Sequence, residues 1–92
     1  MILPAQWRAA RGLLDLSQGE VAQLIGVRVI HVIRLEGGNA VVPEQVRQQA
    51  QVVLENAGVE FIAENGGGAG VRLRKPTLRA IPIEDMNASN DE

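Results

Sequence analysis

Apolar residues in the first half of the chain recur at intervals of three and four, the spacing of helices with one buried face. Trp7, Ala10, Leu13 and Leu14 form the first such stripe. Pro4 suits a first helical turn, so the spacing predicts a helix from about Pro4 to Leu14; Gly12 within it costs about 1 kcal/mol relative to alanine. Ser17 and Glu20 have the spacing of a capping box, in which the hydroxyl takes a first-turn amide and the carboxylate reaches back to the cap amide. They open a second helix with Val21 and Leu24 on its apolar face and Ala22 near its partner. It turns at Gly26, and a third helix follows over about residues 28–36, with Gly37 and Gly38 placed to close it through a left-handed residue. Val27, Val32 and Leu35 are its inward positions. Past the connector Asn39–Val42, Pro43 and Glu44 open a fourth helix with the stripe Val46, Ala50, Val53, Leu54 and Ala57, which Gly58 stops.

The period then changes to two. Val59-Glu60-Phe61-Ile62 and Val71-Arg72-Leu73-Arg74 alternate as strands do, around the glycine-rich turn Glu64–Gly70. A lone hairpin is marginal in water, so Val59, Phe61, Val71 and Leu73 must pack on the helices or on another copy. From Pro76 onward there are two prolines, no sustained period and an acidic end, which predicts disorder. Leu78, Ile81 and Ile83 nevertheless give residues 77–84 the composition of a short binding segment. The chain therefore divides into a four-helix unit over 1–58, a hairpin over 59–75 packed on it or on a partner, and a flexible acidic tail over 76–92.

Composition narrows the picture. Ninety-two residues support a single small core, and with only Trp7 and Phe61 as aromatics that core must be aliphatic. There is no cysteine, hence no disulfide framework or thiolate metal site. No stretch approaches a membrane span and the first residues lack the run of a signal peptide, so the expected location is the cytoplasm. Residues 1–75 hold eight Lys/Arg against seven Asp/Glu, and residues 76–92 one Arg against four acids. A DNA binder usually carries a basic footprint, and this chain lacks one.

Candidate chemistry is sparse. His31 is the only histidine and has no companion at ligand spacing, so no metal, cofactor or enzymatic activity is expected. The run of glycines at 66–68 lacks the Lys-Ser/Thr and the helix that a phosphate loop requires. Arg8 and Arg11 lie opposite the first stripe, as a solvated face or as contacts to a phosphate or partner. Gln45, Gln48, Gln49 and Gln51 read as a neutral solvated face on the fourth helix.

Two helices joined by a short glycine-containing turn form a helix-turn-helix unit. Ser17-Gln18, Ala22, Gly26-Val27, Val32 and Arg34-Leu35-Glu36 fall where Cro/XRE-type helix-turn-helix regulators carry their signature, and the chain resembles that family over about residues 5 to 75. The resemblance implies a mostly α fold, a small Cro/XRE-like bundle of four helices followed by a C-terminal hairpin. It also implies that the third helix is a reading helix for the DNA major groove, with Gln18, Arg28, Val29, Ile30 and Arg34 as the DNA-binding set. The chain departs from the pattern there. Val29, Ile30 and Ile33 occupy the outward side where a DNA reader offers polar groups, and only thymine methyls would welcome them. Arg28 stands where the family prefers a Ser or Thr cap. Such a face suggests a protein partner bound through Arg28, Val29, Ile30, His31, Ile33 and Arg34. The size and setting resemble the antiactivators of rhizobial integrative and conjugative elements, which bind LuxR-type quorum-sensing activators and an activator of excision. The expected function is antiactivation, with a DNA-binding XRE-type repressor as the alternative and a homodimer seam as a further use of the face.

Overall fold

A computed structural model describes residues 1–38 and 41–74. It contains α1 (Pro4–Leu14), α2 (Gln18–Ile25), α3 (Val29–Gly37), α4 (Glu44–Asn56), β1 (Val59–Ile62) and β2 (Gly70–Leu73). The chain is thus mostly helical with one antiparallel hairpin, as its periodicity predicts. The tail expected to be disordered, with Leu78, Ile81 and Ile83, lies outside the described residues, as do Asn39 and Ala40 of the connector.

The helix boundaries follow local chemistry. Ser17 Oγ accepts from the Glu20 amide at 3.0 Å while the Ser17 amide donates to Glu20 Oε1 at 2.8 Å, the expected capping box. Gly26, at φ 87°, closes α2, and its amide donates to the Ala22 carbonyl. The end of α3 is more demanding. Gly38 is left-handed at φ 72°, and a Cβ there would stand 2.6 Å from Pro4 Cγ. Glycine at this position therefore both ends α3 and lets its last turn approach the start of α1.

The core gathers Trp7 and Ala10 of α1, Val21, Ala22 and Ile25 of α2, Val32 and Leu35 of α3, Ala50 and Leu54 of α4, and Val59 of β1. Val42 joins them, although the sequence reads it as connector; it is 4% exposed. Four expected core positions differ. Leu13, Leu24 and Leu73 are exposed large hydrophobics, and Ala57 is exposed at the end of α4. At the ends of α1 and α2 the inward positions are taken one residue on, by Leu14 and Ile25, while Leu73 and Ala57 sit at the ends of their elements.

The hairpin packs on this same chain, against α1 and α4. Its register sets Val59 opposite Leu73 and Phe61 opposite Val71, so these four share one face. Phe61 meets Trp7 edge-on, with ring centroids 5.3 Å apart and planes at 65°, an orientation suited to aromatic quadrupoles. A buried glutamine fixes the hairpin. Gln6 Nε2 donates to the carbonyls of Ile62 (3.2 Å) and Gly70 (2.9 Å), the pair that closes the ladder beside the turn. Its Oε1 in turn accepts from the Leu3 amide at 2.8 Å. Gln49, expected on a solvated face, donates to the Ile25 carbonyl at 2.7 Å and ties α4 to the end of α2.

Candidate interaction surface on the third helix

α3 begins without a cap. Arg28 occupies the cap position in extended conformation and makes no side-chain bond to the first-turn amides, and no acid lies in that turn. The helix forms because Val32, Leu35 and Glu36 bury one side of it. Tertiary packing holds it in place where local capping does not.

The residues singled out from sequence lie on the remaining surface, Val29 and Ile33 along the flank next to Glu36. Val29 and Ile33 are each 43% exposed, and at a spacing of four they lie one turn apart on one line of the helix. Arg28 and Arg34 are also exposed, and neither forms an ion pair among the described residues. Ile30 corrects the expectation: it is half-buried rather than fully outward. The structure therefore places Arg28, Val29, Ile33 and Arg34 on open surface, with Ile30 beneath their edge.

His31 departs from the exposed edge expected of it. It is half-buried, and its Nδ1 is shielded from solvent with no hydrogen-bond partner among the described residues. Among the described residues no group of three or more His, Cys, Asp or Glu is placed to hold a metal ion. No helix among them is long and apolar enough to cross a membrane.

The cations expected on the solvated face of α1 are engaged internally. Glu36, on the buried edge of α3 with a side chain 5% exposed, receives Arg11 through two bonds, Nε to Oε2 at 2.7 Å and Nη2 to Oε1 at 3.1 Å. The hydrogen bond and the adjacent negative charge raise the Arg11 pKa above its ordinary value, against the opposing effect of partial burial. Arg11 also donates to the Leu16 carbonyl at 3.1 Å. Arg8 donates through Nη1 to the backbone carbonyl of Glu36. Gln18 completes the arrangement, its Nε2 donating to Glu36 Oε1 at 3.0 Å.

This network alters the reading of the DNA-contact set. Gln18 belongs to the DNA-binding set that the resemblance implies, but its amide serves a carboxylate of this chain. Arg8 and Arg11, which could have supplied phosphate contacts, spend donors on the end of α3. Of the set Gln18, Arg28, Val29, Ile30 and Arg34, only Arg28 and Arg34 present exposed cationic groups. Glu36 itself was not picked out from sequence beyond its place in a motif. The available signal was an acid on the inward edge of an amphipathic helix, with two arginines at helical spacing on another.

Comparison of the chain with protein-family models finds no match, and none is found among curated proteins.

Proposed function

We propose that this protein is an antiactivator on a helix-turn-helix scaffold of Cro/XRE type, which binds and sequesters a transcription activator through the outer face of α3. The observation that carries the reading is the exposed pair Val29 and Ile33 between Arg28 and Arg34. In the DNA-reading form of the scaffold this face would need hydrogen-bonding groups for base edges. Here it offers branched aliphatics with cations at both ends, the pattern of an apolar interface centre with a polar rim. The internal engagement of Arg8 and Arg11 with Glu36 further reduces the groups that could neutralise phosphate, and the Gln18 amide is likewise taken up within the chain. A LuxR-type quorum-sensing activator is the partner class implied by the resemblance noted from sequence. The mechanism is stoichiometric: the occupied activator cannot act at its promoter, and no turnover or cofactor enters.

A DNA-binding repressor is the second reading, favoured by one feature. Arg28 and Arg34 are exposed at either end of the helix and could each meet a phosphate while Val29 contacted thymine methyls.

The test is titration calorimetry of the full chain carrying Val29→Ser and Ile33→Gln against a purified LuxR-type activator. Each side chain has somewhat under half its surface left to bury, worth about 1 kcal/mol apiece. The double variant should therefore bind about 30-fold more weakly while keeping its helical circular dichroism. Undiminished affinity in a folded double variant would remove the interface from this face.

A further inference from the structure

On the flank of α3 away from Val29 and Ile33, an open-mouthed cleft of about 260 Å³ lies between the end of α3, the start of α1 and the segment entering α4. Buried Trp7, Leu35 and Val42 line it together with the half-buried Ile2. Among the described residues on its wall the charged side chains are Arg34 and Arg47, and none is acidic. We propose that this cleft binds a small amphiphilic anion, a carboxylate on an apolar chain of about eight carbons, with the chain against Trp7, Leu35 and Val42 and the head on Arg34. The site is separate from the partner face on α3 and shares only Arg34 with it.

The two arginines play different parts. Arg47 is already held: its Nη1 donates to the Val42 carbonyl at 2.6 Å and its Nη2 pairs with Glu44. It fixes the wall rather than offering a free charge. Arg34 is exposed and forms no ion pair among the described residues, so its planar fork is free to take both oxygens of one carboxylate. Arg34 also stands in the last turn of α3 and offsets the negative end of that helix dipole. The start of α1 adds to the positive sign. Its first turn contains no acid, and Pro4 within that turn lines the cleft.

Size selects among anions. Benzene fits an apolar cavity of roughly 150 Å³, so this cleft is larger than one phenylalanine ring of a docking protein would fill. An eight-carbon chain occupies about a third more than benzene, which fills most of the space and leaves the head at the mouth. The apolar lining favours the chain whatever its end group, because it removes hydrocarbon from water. The charge on Arg34 then sets the preference for a carboxylate over an alcohol.

The experiment is an NMR titration of the methyl-labelled full chain with sodium octanoate. The methyls of Ile2, Leu35 and Val42 report on the cleft, and those of Leu24 and Val52, exposed elsewhere, are the controls. The expected result is a saturable shift at the first three with a dissociation constant of about 0.1–1 mM, and none at the controls. 1-Octanol, with the same chain and no charge, should bind about tenfold more weakly, and octanoate should lose about tenfold in the Arg34→Gln variant. No saturable shift below roughly 10 mM octanoate, equal affinity for octanol, or unchanged affinity in folded Arg34→Gln would each overturn the proposal. Shifts of the same size at Leu24 and Val52 would also overturn it, as the mark of a detergent coating the surface. Each of these results leaves the partner reading standing, since that reading fails only if the Val29→Ser, Ile33→Gln variant keeps its affinity for the activator.

Discussion

Arg11 and Glu36 form a two-bond ion pair between the last turn of α1 and the buried edge of α3, with Nε 2.7 Å from one carboxylate oxygen and Nη2 3.1 Å from the other. Gln18 of α2 adds a third donor. A single carboxylate of α3 therefore ties three helices together, on nearly the same line of α3 as Val29 and two turns along.

Glu36→Ala should lower stability by about 2 kcal/mol. Loss of one partner from a fully buried pair costs about 3–5 kcal/mol, but the Arg11 side chain is 27% exposed and can turn partly to water. The shift in urea midpoint measures this. Combining Arg11→Met with Glu36→Leu should recover most of the loss, because apolar replacements of similar shape leave no charge stranded.

Gln6→Leu keeps the volume and removes the donor. The carbonyls of Ile62 and Gly70 then lose the amide that joins them to α1, at a cost of about 1–2 kcal/mol. Hydrogen exchange should reveal where that loss falls. Amides of β1 and β2 should exchange faster, while those in α2 and α3 change only with global stability.

Gly38→Ala should destabilise by more than the roughly 1 kcal/mol expected for a left-handed residue alone. The added methyl would stand 2.6 Å from Pro4 Cγ, so the end of α3 and the start of α1 must separate. Thermal melting of Gly38→Ala beside Gly26→Ala isolates the excess. At Gly26 the nearest atom to a Cβ is the amide of Gln49 at 3.7 Å, and only the backbone strain remains.

The exposed cross-strand pair Arg72–Glu60 supplies a pH prediction. Hydrogen bonding and charge from Arg72, with a smaller contribution from Arg74, hold the Glu60 carboxyl below its ordinary pKa. A lowered folded-state pKa contributes stability that is present above the unfolded value and is lost as pH falls through the folded one. An NMR titration should place the Glu60 midpoint below that of an unpaired glutamate, and Arg72→Ala should raise it. Because both groups face solvent, the accompanying change in stability should be small.

Much of the fold was legible because local signals agreed with one another. The capping box at Ser17 and Glu20, the glycine stops at Gly26 and Gly38, and the change of period at Val59 each mark a boundary that the structure retains. Partnerships between elements were less legible. Gln6 and Gln49 are polar residues on amphipathic helices, and nothing in the local pattern distinguishes a glutamine that clamps a distant carbonyl from one in water. Arg8 and Arg11 show the same limit: helical spacing gave their direction from α1, but not that the end of α3 lies there. On the candidate surface, Val29 and Ile33 emerged as exposed because a spacing of four fixes a common line. The same spacing puts Ile30 outward, but it is half-buried, and its spacing within α3 carries no sign of that.

The most direct measurement of the central claim, that α3 serves a protein rather than DNA, is a low-salt titration of the full chain with promoter-derived and mixed-sequence duplexes. A protein that neutralises even a few phosphates binds duplex DNA non-specifically, and does so more tightly as salt is removed. The account predicts no binding at protein concentrations up to roughly 50 µM, where even weak non-specific binders register. Binding that weakens steeply with added salt, and is lost in Arg28→Ala and Arg34→Ala, would contradict it and place α3 in a DNA groove.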